Sequence, residues 1–256
     1  MSTTALCLTA LLLIIPIAIS IKEKLNIAKD LIIASIRAVI QLVILGYILH
    51  FIFDLNEPWI LILFVLVIVI NASWNTISRA SKVMHHVFWI SFVSIFIGTA
   101  LPLTVIVLVG AIDFTGNELI PIAGMLANNG LIAINLAYQN LDRAFVKEYS
   151  SIECKLALAA TPKLASKSAV RESIKLAIVP TIDSVKTYGL VSIPGMMTGM
   201  IISGVDPLQA IKFQLLVVFI HTTATIMTAL IATYLSYKQF FNSRHQLIGS
   251  MLNDED

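Results

Sequence analysis

Three features of the 256-residue chain predict an all-α, polytopic membrane fold. Hydrophobic residues make up 58% of it, and charged residues 12%, about half the share that covers a soluble domain. Mean hydropathy is +0.91. Apolar stretches of about 20 residues, the length of helix that crosses a bilayer, recur from one end to the other. With so little charge, most of the surface must face lipid, which excludes a soluble enzyme, a disordered chain and a nucleic-acid reader.

Taken in order, the candidate spans are residues 1–21, 31–53, 58–78, 83–112, 119–141, 187–205 and 213–237. Only the second is interrupted by charge, at Arg37. No basic residue precedes the first span, and Lys22 follows it, so the first span is expected to be retained with its N-terminus outside. Seven crossings then put the C-terminus in the cytoplasm. The charges agree with this sidedness. Fifteen of the seventeen lysines and arginines fall around 22–29, at 79–82, across 143–186 and at 238–244, whereas Asp54, Glu57, Asp113, Glu118 and Asp206 mark the opposite loops. Cys7 and Cys154 fall on opposite sides of the membrane, so a disulfide between them is not expected.

The whole chain reads as one transmembrane domain, 1–256, with an unusual cytoplasmic segment at about 140–186. Phe145, Tyr149, Ile152, Leu156 and Ala159 recur at spacings of three and four, giving one apolar helical face. Thr161-Pro162 predicts a break, with proline in the first turn of the next helix. Lys163, Lys167, Arg171 and Lys175 then form a basic stripe. Such a stripe suits either anionic headgroups or a cytoplasmic partner.

Polar residues inside the spans are candidates for a translocation path or for hydrogen bonds between helices. Arg37 and Gln41 share a face of the second span, with Arg37 either facing the bundle interior or snorkelling to the interface. Asn71 and Asn75 lie in the third, Asn128 and Asn129 in the fifth, and His221 in the seventh. In the sixth, Pro194 predicts a bend, while Gly195, Gly199 and Ser203 form a small-residue ladder suited to close helix packing. Met196 and Met200 share a face there. Thioethers pack well in apolar gaps, and they also suit copper(I) better than hard cations. His85 and His86, adjacent in a short loop, read as surface residues. No glycine precedes a lysine, so there is no P-loop, and the common metalloprotease and serine-hydrolase signatures are missing too.

The stretch AATPKLASKSAVRESIKLAIVPTIDSVKTYGLVSIPGMMTGMIISGVDPLQAIKFQ, together with SIRAVIQLVILGYIL, PIAGMLANN and YKQFFNSRHQL, resembles the FetB-type permease family. These are bacterial membrane subunits of ABC transporters assigned to iron export, and plant aluminium-tolerance permeases are similar. The resemblance spans essentially the whole length. It departs at Asn128 and Ala160, where the family pattern carries glycine. It implies a non-enzymatic permease subunit of the bacterial inner or plasma membrane, forming a homodimer with a separate ATPase. ATP and Mg would be bound by that partner, with no cofactor on this chain. The coupling residues would be Glu153, Leu156, Ala160, Thr161, Pro162, Lys163, Lys167 and Arg171. Cargo would be iron or another metal, or a complex of it, with its ligands unspecified. An organic or nucleotide-sugar cargo, and a gradient-driven transporter or channel, are the alternatives.

Overall fold

In a computed structural model the chain is described at residues 3–55, 57–81 and 83–248. Lys82, one of the basic loop residues, lies outside the described residues, as do Met1, Ser2, Asn56 and 249–256. All the regular elements among the described residues are helical.

The chain divides into two units, Met1–Asn56 and Glu57–Asp256. The first holds α1 (Thr3–Ala10), a single 3₁₀ turn, α2 (Ile14–Lys22) and α3 (Ala28–Leu55). Lys24 and Asn26 take left-handed backbone conformations in the turn that lets α2 contact α3. Arg37 and Gln41 are both exposed on α3.

The second unit is built on α4 (Pro58–Thr76), α5 (Val87–Leu108), α6 (Gly116–Lys147) and α11 (Pro207–Ser236). With α3, these are the five helices among the described residues that are long and apolar enough to cross a membrane. Their positions follow the predicted second, third, fourth, fifth and seventh spans. The chain is a multi-pass membrane protein. The two other predicted spans take a different form. Residues 3–22 lie in short pieces, and 187–205 hold an irregular turn and the eight-residue α10 (Gly195–Ile202). An eight-residue helix is roughly 12 Å long, too short to cross the hydrocarbon by itself.

α6 is the central post, packed against α4, α5, α11 and the amphipathic α9 (Lys167–Thr187). α5 comes close to α11 at Gly98, where a Cβ would stand 1.9 Å from Thr228 Oγ1. A buried hydroxyl chain adds polar glue. Thr76 Oγ1 donates to Ser91 Oγ at 2.7 Å, and Ser91 Oγ lies 2.9 Å from the Tyr138 hydroxyl, joining α4, α5 and α6. Buried hydroxyls must find partners inside the protein, because lipid offers none.

The predicted cytoplasmic segment is helical and densely packed. α7 (Tyr149–Ala157) follows α6 directly, and α8 (Pro162–Ala165) starts at the expected proline. Phe145 and Ile152 are fully buried, with Tyr149 and Leu156 packed against the same core; Ala159 instead is exposed, with φ +63° in the turn. The chain after α11 turns back, so that the Phe240 ring stacks on Phe145 with centroids 4.3 Å apart. Asn242 Oδ1 accepts from the backbone amides of Arg244 and Gln246, which holds that turn.

Candidate functional site: a cavity at a broken helix

α9 links two distant places. Near its start, the Lys147 ammonium of α6 pairs with Glu172 at 3.7 Å, and Ser168 donates to Glu148. At its far end, Tyr188 and Asn129 of α6 line one cavity. These anchors are eighteen residues apart on α6 and sixteen on α9, roughly 25 Å of antiparallel helix. One face of α9 buries Ala169, Val170, Ser173, Ile174, Ala177 and Ile178; Lys167, Arg171 and Lys175 are exposed on the other.

Helix α9 stops where the cavity begins. Tyr188 leaves the helical region, Gly189 has φ +79°, and a turn held by Gly189 N–H donating to Ser192 O leads to Pro194 and α10. Tyr188 and Pro194, at the two ends of this turn, line the cavity, whereas Leu190, Val191 and Ile193 between them are exposed. Asn129 sits near the middle of the charge-free stretch 119–141.

The cavity holds about 190 Å³. Met125 and Asn129 come from α6, Pro194, Gly195 and Met196 from the start of α10, and Gln214 and His221 from α11. The α11 residues are placed by a well-formed helix start: Asp206 accepts from the Leu208 and Gln209 amides, and Pro207 occupies the first turn. Gln214 is 9% exposed, and its Oε1 has no hydrogen-bond partner. Neither the Asn129 amide nor the His221 imidazole makes a hydrogen bond among the described residues. The lining contains no Asp, Glu, Lys or Arg. Asp183, the nearest carboxylate along the chain, is paired with Lys186 at 3.0 Å and stays outside the lining. Among the described residues, no three His, Cys, Asp or Glu side chains gather as a metal cluster.

The polar residues expected in one path are thus divided between two places. Asn129, Met196 and His221 meet here. Asn71 and Asn128 instead line a separate groove between α4 and α6, where Asn75 donates to the Asn71 carbonyl at 2.8 Å. Consecutive residues on a helix point about 100° apart, which is why Asn128 and Asn129 part company. Met200 is half-buried and lies outside the cavity lining, and Arg37 and Gln41 belong to the other unit. Sequence reasoning missed Gln214 and Tyr188 as lining residues. Gln214, an amide seven residues, about two helical turns, before His221, was the available signal.

The residues expected to couple to a partner fall in two places. Thr161, Lys163, Lys167 and Arg171 line a second cavity of about 400 Å³ with Tyr234 and Tyr237, while Glu153, Leu156 and Ala160 line a groove against the returning tail. Pro162 heads α8 beside them. Leu158 and Leu164 project from this segment, 79% and 59% exposed. Gly195, Gly199 and Ser203 lie along α10, where a Cβ at either glycine would meet nothing within 4 Å.

Comparison with known proteins agrees over nearly the whole chain. The profile of an uncharacterised protein family, UPF0014, matches residues 3–241. The chain is 45% identical over 248 residues to the "Probable iron export permease protein FetB" of Escherichia coli (strain K12), covering 97% of this chain and 95% of that one. It is 34% identical to the "UPF0014 membrane protein YjkA" of Bacillus subtilis (strain 168), over 96% and 98% of the two chains. With the "Protein ALUMINUM SENSITIVE 3" of Arabidopsis thaliana it shares 32% identity, over 91% and 85%. No solved structure matches. The chain belongs to the UPF0014 family of membrane proteins.

Proposed function

We propose that this chain is the membrane-spanning permease subunit of an ABC transporter, exporting iron or another metal, free or as a complex. It works as a homodimer with two copies of a separate ATPase, which binds the ATP and Mg. The chain crosses the membrane seven times with its N-terminus outside. The α1–α2 stretch supplies the first crossing, and the end of α9, the turn and α10 together supply the sixth. The cavity at that break is part of the cargo path.

The observation that carries this reading is the stiff connection between two sites. A basic segment with uncovered leucines stands at one end of α9, and an uncharged polar cavity stands roughly 25 Å away at the other. ATP bound to a partner shifts the permease between states only if its contacts differ between them, so the docking site must be mechanically tied to the path. α9, buried along one face against α6 and α11, provides that tie. The similarity to a chain named as an iron export permease supports the metal branch. The open ladder on α10 leaves room for a second copy to approach closely.

The direct test is co-purification with the ATPase. Replacing Lys163, Lys167 and Arg171 by glutamate should abolish recovery of the ATPase while membrane insertion and thermal midpoint stay unchanged. Undiminished recovery with the triple variant would contradict the docking role.

A further inference from the structure

We propose that the cavity at the α9–α10 break is a site for a low-valent, thiophilic transition-metal ion, with copper(I) the best fit. Its ligands would be the thioethers of Met125 and Met196 and the imidazole of His221. As a statement about cargo this rests on the cavity being part of the path; as a statement about a site it stands on the lining alone.

The argument starts from the donors. Three helices each bring one soft or borderline donor to a single cavity of about 190 Å³: Met125 from α6, Met196 from α10 and His221 from α11. Thioethers and imidazole select soft ions, whereas calcium, magnesium and ferric iron want carboxylate oxygens. The cavity offers none of those. Neither methionine is fully packed away; both are half-buried at the cavity wall. A monovalent ion also suits a neutral lining, since each added charge raises the cost of leaving water. The second observation is Gln214, whose buried Oε1 has no partner. A buried carbonyl left without a partner is costly to keep, so its retention beside the donors calls for an occupant. It can accept from a water carried by the ion. Met200 shares the helix face of Met196 but does not line the cavity, so it supplies an internal control.

The test uses the full-length chain in lipid nanodiscs without ATPase. Cys7→Ser and Cys154→Ser form the background, so that thiolates do not compete. Silver(I), a redox-inert stand-in for copper(I), should bind saturably at one ion per chain. Outer partners of metal ligands are typically worth about 10–100-fold in affinity. Losing two ligands outright in the Met125→Leu/Met196→Leu double variant should therefore cost at least about 100-fold. Met200→Leu should leave binding within about threefold, since it removes no ligand. Copper-edge X-ray absorption on the copper(I)-loaded background protein, which needs no methionine variant, should show sulfur and nitrogen neighbours. Absence of saturable silver binding, an unchanged affinity in the double variant, or oxygen-only coordination would each overturn the proposal, as would ferric iron competing on equal terms. Silver binding without ATP-driven transport would keep the site and remove the transporter reading. Transport without silver binding would do the reverse.

Discussion

Gly98→Ala is the most informative single change to the fold. The new Cβ would stand 1.9 Å from Thr228 Oγ1, 3.2 Å from Thr228 Cβ and 3.1 Å from the Ala224 carbonyl oxygen. The hydroxyl can rotate, but the threonine Cβ and the α11 backbone cannot yield without moving the helix. Overpacking costs about 1–3 kcal/mol, and an overlap that reaches backbone and a threonine Cβ belongs to the upper part of that range, about 2–3 kcal/mol. Alanine recovers at most about 1 kcal/mol of helix propensity over glycine, leaving a net loss of about 1–2 kcal/mol. For a chain of this size that lowers the apparent thermal midpoint by roughly 2–8 °C. Two comparisons make the cause identifiable. Gly130→Ala meets Thr228 Cγ2 at 3.3 Å and Ile95 Cγ1 at 3.6 Å, so its effect should be smaller. Thr228→Ala should recover part of the Gly98→Ala loss, because it removes the severe overlap with Oγ1 and leaves the 3.1 Å carbonyl and 3.2 Å Cβ contacts. Thermal unfolding of the four variants in one detergent measures all of this. A stable Gly98→Ala protein, or no recovery in the double variant, would refute the close α5–α11 approach.

The remaining predictions concern other places in the same unit. Tyr138→Phe removes one end of the Thr76–Ser91–Tyr138 chain and should cost about 1 kcal/mol, read as a lowered midpoint with insertion intact. Phe240→Ala empties a fully buried site stacked on Phe145, a loss of about 3–5 kcal/mol. Protease should then cut the chain after residue 236 first, and continued resistance there would show that the returning tail is not held by this contact. Gly199→Leu should block assembly of the proposed homodimer without changing stability within one chain, because its Cβ meets nothing there; crosslinked dimers at normal yield would count against the ladder.

The long helices were legible because lipid imposes a simple rule on them: every backbone group must be satisfied within the segment, over about 20 apolar residues. α4, α5, α6 and α11 sit where that rule put them. The same rule read 187–205 as one span, since an average over such a window does not register a turn at Tyr188–Pro194. Pro194 did announce the interruption, and Gly189 adopts the left-handed conformation that ends α9. The amphipathic segment and its break at Thr161-Pro162 were visible because period and proline act locally. Contacts between distant helices were not. The small-residue ladder at Gly195 and Gly199 looked like the place of close packing, yet a tight approach inside the chain is at Gly98. A lone glycine in an apolar run carries no sign of the threonine it will meet on another helix. For the site, residue types were readable but their grouping was not. Asn128 and Asn129 are neighbours in sequence and line different cavities, while Met125 gains its partner Met196 only through the fold.

The central claim is that nucleotide hydrolysis by a partner drives cargo across this chain. Its most direct measurement is metal movement in sealed proteoliposomes containing the chain, its ATPase, or both, with and without ATP. The account predicts ATP-dependent metal movement only when both are present, and loss of that movement when residues 159–167 are deleted. Equal movement by the chain alone, unaffected by ATP, would contradict it.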